Sequence, residues 1–321
     1  LEQWLPRAEK DIYNEIPQLP QQETYPLSSA QKRLWVLSQF PGASVAYNLA
    51  EAKLIEGEIS PEAIRQAVEK VIKRHESLRT IFTSANGVPA QKIRDDIPLE
   101  KCFEEIDLSQ NKTAENVAQE LINTDAKTPF DFEKGPLFRS KLVTLSPDKH
   151  IFYINMHHIV SDGWSMQVLW NELFETYSAA VHTLSGKANS DSLNKKTNEQ
   201  KDGGFPSRQT ESGGSPFRES EGSEALRIQY KDYAAWQSDF LKTDDLNQQG
   251  NYWKQRFKNG APVLELPTDR PRPPQPAFRG DIVRFEIDKR KTKLLENAAK
   301  SADATLFMVL LAAVKTLLHR Y

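Results

Sequence analysis

Met156-His157-His158-Ile159-Val160-Ser161-Asp162-Gly163-Trp164-Ser165 is the stretch on which the reading of this chain turns. It continues His150–His157, a short apolar and aromatic run that reads as a strand. It leads into Ser165–Val181, where Met166, Leu169, Trp170, Leu173, Phe174 and Tyr177 recur on one helical stripe. A strand therefore ends and a helix begins here, and a rigid element aims the side chains between them. Neighbours on a strand face opposite ways, so His157 and His158 are expected to part, one toward the core and one toward a cleft. An imidazole titrating near neutrality can take a proton from an amine or an alcohol. Gly163 would let backbone or a thin substrate approach closely.

Plainer roles compete with these. A histidine is more often a packing or hydrogen-bonding residue than a catalyst, and Asp162 suits a loop or cap position on spacing alone. Metal ligation by the pair is disfavoured, because adjacent strand residues face apart and no H-E-x-x-H or C-x-x-C spacing supplies a third ligand. A Ser-centred triad lacks the Gly-x-Ser-x-Gly elbow that would place its nucleophile.

Outward from this stretch, Leu137–Leu145 reads as a second strand joined to His150–His157 through a turn at Ser146-Pro147-Asp148. Ser60-Pro61-Glu62 is a helix start, and Ile64, Ala67, Val68, Val71 and Ile72 follow at amphipathic spacing to about His75. An earlier helix spans Ser29–Leu37, and residues 1–24 read as a linker. Lys187–Glu224 is rich in Ser, Gly and charge and has too little apolar surface to offset its ordering entropy, so a disordered insertion is expected there. Beyond it come a helix with Tyr230, Tyr233, Ala234 and Gln237, and another with Tyr252, Trp253 and Phe257. Leu266–Pro274 is extended because of its prolines; a half-buried strand carries Val283, Phe285 and Ile287, and two helices close the chain. Strands interleaved with helices in this way predict an α/β layered (α+β) fold.

The formal net charge of −2 over 321 residues gives no electrostatic footprint for nucleic acid or an anionic membrane. The most apolar stretch, Leu306–Leu318, contains Lys315 and is too short to span a bilayer. Cys102 stands alone, which excludes an internal disulfide framework and fits a reducing cytoplasm. The chain opens without Met or a signal pattern and stops within a helical pattern, so a truncated piece of a longer protein is expected.

His157-His158-Ile-Val-Ser-Asp162-Gly163 resembles the HHxxxDG signature of the condensation domains of nonribosomal peptide synthetases. Three further stretches, in the same order, strengthen the resemblance. Ser28-Ser29-Ala30-Gln31-Lys32-Arg33-Leu34-Trp35 is similar to the family's opening motif. Arg74-His75-Glu76-Ser77-Leu78-Arg79-Thr80-Ile81-Phe82 resembles RHExLRTxF, and Tyr230-Lys231-Asp232-Tyr233-Ala234-Ala235-Trp236 resembles YxDYAVW. The family's later FVNT-like and RDTSRNP-like motifs do not occur, and Lys187–Glu224 is longer than the usual connector.

This resemblance implies two chloramphenicol acetyltransferase-like lobes in a V, the first over 25–186 and the second beginning at 225 and incomplete at 321. It implies amide formation between a carrier-bound donor thioester and the amine of a carrier-bound acceptor. No cofactor is bound directly; substrates arrive on the phosphopantetheine of donor and acceptor peptidyl carrier proteins, and an adenylation domain is adjacent. His158 is implied as base or positioner, with His157 and Asp162 structural and Asp162 held by Arg74 or Arg79. Trp35, Tyr230 and Trp236 are expected in the core. Trp164 resembles members that join two L-configured residues. A free-standing acyltransferase on a soluble thioester and a non-enzymatic carrier-docking scaffold are the competing functions. The segment from Ile16 to Tyr25 is similar to a carrier-to-condensation linker, which favours the assembly-line reading.

Overall fold

The computed structural model describes residues 16–40, 42–85, 87–184, 225–261, 263, 265–271, 283 and 285–320. Two compact units divide at Leu246 and Asn247.

The first unit is built on a four-stranded sheet in the order β2-β7-β6-β5, formed by β2 (Asn48–Glu56), β5 (Phe103–Asp107), β6 (Phe138–Ser146) and β7 (Lys149–His157). Its pairs are antiparallel except β5 with β6, which run parallel. The expected hairpin is present: β6 and β7 pair from Phe138↔Met156 to Ser146↔Lys149, with an irregularity between Thr144 and Ser146 at the turn. Because side chains alternate across a sheet, β7 divides its residues between two faces. Phe152, Ile154 and Met156 join the main core with α2 (Pro61–Arg74) and α4 (Gly163–Leu184). Burying each such side chain contributes about 1.5–3 kcal/mol, so this layer dominates the stability of the unit.

Both helices form for reasons visible in their ends. The Ser60 side chain accepts the Ala63 N–H at 3.2 Å, Pro61 occupies the first turn with Glu62, and Lys73 and Arg74 sit in the last turn of α2. The apolar stripe of α4 faces the sheet as expected, with Met166, Leu169, Trp170 and Leu173 buried and Phe174 and Tyr177 packed beside them.

The opposite face of the sheet carries α3 (Ala114–Ala126). There buried Asp125 accepts hydrogen bonds from the Tyr153 hydroxyl at 3.1 Å and Asn155 Nδ2 at 2.9 Å, with Arg139 Nε at 3.4 Å. The Arg139 guanidinium lies 4.0 Å from the Phe130 ring, and Phe130 in turn meets His157 edge-on. This charged network braces the rear of the histidine strand.

A second sheet, in the order β1-β4-β3, joins β1 (Tyr25–Pro26), β3 (Thr80–Ala85) and β4 (Val88–Ile93). The short strand β1 begins directly after the segment 1–24 expected as a linker. Over the described part of that segment, Ile16 is buried and the Leu19 N–H donates to Asp232 Oδ1 at 2.9 Å. A few apolar and backbone anchors suffice to hold a segment that has no periodicity of its own.

Helix α1 (Ser29–Ser38) begins with a capping box in which Ser28 and Gln31 satisfy each other's backbone N–H. Helix α5 (Tyr230–Phe240) lies within the first unit, although the sequence expectation assigned 225 onward to the second lobe. Side chains at its start explain the placement. Gln229 donates to Arg74 O at 2.9 Å and accepts the Glu76 N–H at 3.1 Å, while Lys231 pairs with Glu76. The expected insertion at 187–224 lies outside the described residues.

Helix α6 (Asp244–Arg256) spans the division between the units. The second unit contains the packed pair α7 (Lys289–Ser301) and α8 (Leu306–Arg320). Asp288 caps α7 by accepting the Lys291 N–H at 2.8 Å. The strand expected around Val283, Phe285 and Ile287 is not formed among the described residues, where these three side chains are exposed and no partner strand supplies a ladder. No single helix among the described residues is long and apolar enough to cross a membrane; α7 and α8 together pass on length and composition but meet at a bend of 101°.

Candidate active site

The ladder that ends β7 fixes where its histidines point. Asn48 pairs with His157 and Leu49 with Met156; one residue further, the His158 N–H donates to Tyr47 O at 2.8 Å. His157 is fully buried and His158 exposed, as strand alternation requires.

His157 is held as a neutral ring. Its Nδ1 accepts the Ile159 N–H at 3.1 Å, which leaves the ring proton on Nε2, 3.2 Å from Ser44 O and 3.3 Å from Ser44 Oγ. Phe132 packs on it edge-to-face at 4.7 Å. Burial drops its pKa to about 4 despite the hydrogen bond to Ser44, with a further small push from His158. The residue is a strut that sets the path of the loop.

His158 opens into a cleft of about 510 Å³. Leu34, Leu37, Leu78 and Val168 give it apolar walls, and Arg33, His75, Asp162 and Tyr230 bring polar groups to it. A concave, mostly apolar site with a few convergent polar groups is the usual form of a small-molecule site.

Among the described residues Asp162 pairs with no arginine. Its Oδ1 accepts the Ser165 N–H at 2.7 Å and the Ser165 hydroxyl at 2.6 Å, and the side chain is exposed. These bonds, with a smaller attraction from His158, hold its carboxyl below the usual aspartate range against a modest opposing effect of burial. Standing immediately before α4, Asp162 acts as a helix cap whose charge suits the positive helix end. No hydrogen bond to the imidazole is formed, so it is not a triad orienter either.

The two candidate arginines are engaged elsewhere. Arg79 follows α2 through a short 3-10 turn and donates to Ile72 O at 3.1 Å, Arg94 O at 3.2 Å and the Asp95 carboxylate. It satisfies carbonyls that the end of α2 leaves open. Arg74 faces α4, where Glu172 Oε1 lies 3.6 Å from its Nε. Gly163 is exposed, and a Cβ there would meet open space, so no internal packing demands glycine.

Three features escaped the sequence reading. His75 lines the cleft and bonds to Glu172 at 2.5 Å; burial raises the Glu172 carboxyl, but His75 and Arg74 outweigh it and keep the group anionic. Tyr230 lies in the cleft wall with 38% of its surface exposed, contrary to the expected core position. Trp35 and Trp236, expected in the core, are half-buried: Trp35 packs beside the cluster of Leu27, Phe82 and Ile159, and Trp236 stacks on Phe240 at 5.1 Å. Finally, the Arg74–Phe82 and Tyr230–Trp236 stretches touch through Gln229, Glu76 and Lys231. The one available signal was that both stretches match the same family's motifs. Among the described residues no cluster of His, Cys, Asp or Glu has the grouping a metal ion needs.

The family model described as "Condensation domain" matches residues 21–192 and 217–321. Gramicidin S synthase 2 of Brevibacillus brevis is 34% identical over the whole chain, which spans 6% of that relative's length. Bacitracin synthase 3 of Bacillus licheniformis is 36% identical over 98% of the chain and 4% of its own length. Among solved structures, the first condensation domain of the calcium-dependent antibiotic synthetase, in complex with a substrate analogue, superposes with a TM-score of 0.65. That match is 21% identical and covers 92% of this chain and 61% of the other. The starter condensation domain of rhizomide synthetase gives a TM-score of 0.56 at 22% identity, covering 73% of this chain and 48% of that one. The layered helix-and-sheet architecture is thus that of condensation domains, the chloramphenicol acetyltransferase-like fold expected from the motifs. With the family model matched over most of its length, this chain belongs to the condensation-domain family.

Proposed function

We propose that this chain carries the amide-forming site of a nonribosomal peptide synthetase, with His158 as the group that handles the acceptor amine. The observation that carries the reading is the exposed His158 in a 510 Å³ cleft, with its loop pinned on one side by buried His157 and on the other by the Asp162 cap. The relatives' names, synthases of gramicidin S and bacitracin, support the same substrate class.

In this reading, the nitrogen of an acceptor α-amine attacks the carbonyl carbon of a donor thioester. The C–N bond forms, the C–S bond breaks, and the amine's proton passes by way of His158 Nε2 or Nδ1 to the departing thiolate. Positioning of the two reactants alone lowers such a barrier by several kcal/mol, and general-base help adds about 10²–10⁴-fold. Donor and acceptor are delivered on the phosphopantetheine arms of two carrier proteins, and an adenylation domain loads the acceptor. A cytoplasmic setting belongs to the same reading and is supported by the lone Cys102 of this chain, a buried thiol pushed up to about 11 by burial and, less, by Glu100.

The test is a reconstitution of the full-length gene product with carrier proteins bearing a panel of aminoacyl groups, analysed by mass spectrometry of the carrier-bound products. The expected result is a dipeptidyl thioester on the acceptor carrier. Hydrolysis of the donor without amide formation, across the whole panel, would overturn the assignment.

A further inference from the structure

Among the described residues, Tyr230 is a phenol that lines the cleft and sits beside a partly buried charge pair. It is the first residue of α5, and the turn before it is fixed from several sides. Lys231 pairs with Glu76, Gln229 bridges Arg74 O and the Glu76 N–H, and Asp232 accepts the N–H groups of Gln229 at 2.7 Å and Leu19 at 2.9 Å. The Tyr230 hydroxyl lies 3.0 Å from Ser28 Oγ.

Burial of Ser28 favours one direction for that bond. Ser28 Oγ accepts the Gln31 N–H at 3.2 Å as the cap of α1, and Ser28 is only 1% exposed. Its single hydroxyl proton therefore has no solvent to reach, and the phenol oxygen is the acceptor within range. Either oxygen can donate in this bond; with Ser28 as the donor, the arrangement its burial favours, the phenolic O–H is free. Burial raises the phenol's pKa above its ordinary value, opposed by the Ser28 bond and helped less by Tyr233 and Asp162, so the group is protonated at neutral pH. The side chain faces the same cleft as His158 and Asp162.

We propose that the Tyr230 hydroxyl is a catalytic residue, a hydrogen-bond donor to the substrate carbonyl oxygen that stabilises the oxyanion formed when the amine adds. This rests on the amide-forming reading above. As the C–N bond forms, the carbonyl π pair moves onto oxygen and the phenol hydrogen-bonds to it without losing its proton. On collapse that pair returns and the thiolate leaves. A donor already fixed in an apolar cleft needs no reorganisation at that moment, which is why such donors matter more there than in water.

Tyr230→Phe in the full-length protein keeps the ring that packs on Tyr233 and removes the phenolic donor together with the acceptor of the Ser28 hydroxyl. Single-turnover amide formation is expected to slow by about 10²-fold, with the melting temperature lowered only by the unpaired Ser28 hydroxyl. A second readout does not depend on turnover. Leucine N-acetylcysteamine thioester, ¹³C-labelled at the carbonyl, is bound to each protein and its C=O stretch recorded by infrared difference spectroscopy. The band is expected at lower wavenumber with wild type than with Tyr230→Phe. The same band position in both proteins overturns the proposal, even where His158→Ala abolishes amide formation and the amide-forming reading stands. A band shift without amide product from wild type would leave the donor in place and refute that reading instead.

Discussion

Acidification should unfold this domain partly through His157, and the size of the effect follows from its surroundings. The ring is fully buried, its Nδ1 is already occupied by the Ile159 N–H, and its folded pKa is about 4 against an ordinary value of 6.5. Between those two values the unfolded chain binds a proton at this residue and the folded one does not. Stability therefore rises with pH across the window and is lost as pH falls from 6.5 toward 4. At about 1.4 kcal/mol per pH unit, the whole interval amounts to about 3 kcal/mol. His157→Gln isolates the effect, because the amide retains a donor for Ser44 but cannot be protonated. At pH 7 the variant should be less stable by about 1–3 kcal/mol, chiefly because the buried Ile159 N–H loses its acceptor. Urea unfolding of both proteins from pH 7 to pH 4 should then show the curves converging as wild type loses its advantage. Parallel stability curves across that range would refute the neutral, buried assignment.

Asp162→Ala should cost about 1 kcal/mol, the usual loss for a helix cap, in a chemical denaturation experiment. A loss of several kcal/mol would point back to the arginine pair expected from the motif. Removing one partner of the Lys231–Glu76 pair strands the other partly out of water. Glu76→Ala should destabilise by about 2–3 kcal/mol, below the full buried-pair figure because Glu76 retains some exposure. The double variant Glu76→Leu with Lys231→Met should cost less than the two single losses together, as a double-mutant cycle would measure. Asp125→Ala leaves Arg139 without its carboxylate and the Tyr153 hydroxyl without its acceptor, while Asn155 keeps only its bond to the backbone carbonyl of residue 125, and should cost about 3–5 kcal/mol. Its effect on thermal unfolding should be larger than that of Asp162→Ala.

The parts of this protein that were legible in its sequence are those governed by nearest neighbours along the chain. The start of α2 at Ser60-Pro61-Glu62, the β6–β7 hairpin and the apolar stripe of α4 each rest on spacing within a few residues, and each formed where expected. The same holds for the opposite facing of His157 and His158. Asp162 shows the limit. Its partner proved to be Ser165, three residues on, an Asx-type cap that the sequence offered as a plain alternative and the motif comparison overrode. Long-range placement was less accessible. Nothing local in Tyr230-Lys231-Asp232 says that Lys231 will meet Glu76, so the docking of α5, and with it Tyr230 in the cleft, required the fold. The parallel partner of β6, which enters from Phe103–Asp107, was missed for the same reason. Around Val283, alternation alone suggested a strand, but a strand exists only with a neighbour to complete its hydrogen bonds.

The account's central claim concerns the exposed imidazole at the end of β7. The most direct measurement is the single-turnover rate constant for amide formation between donor and acceptor carrier-bound substrates, comparing the full-length protein with its His158→Ala variant. His158 is exposed, and its recorded bond is through its own backbone N–H to Tyr47, so the substitution should leave the melting temperature unchanged. The rate constant should fall by about 10²–10⁴-fold, the range expected for a lost general base. An His158→Ala protein that joins donor to acceptor at the wild-type rate would contradict the assignment.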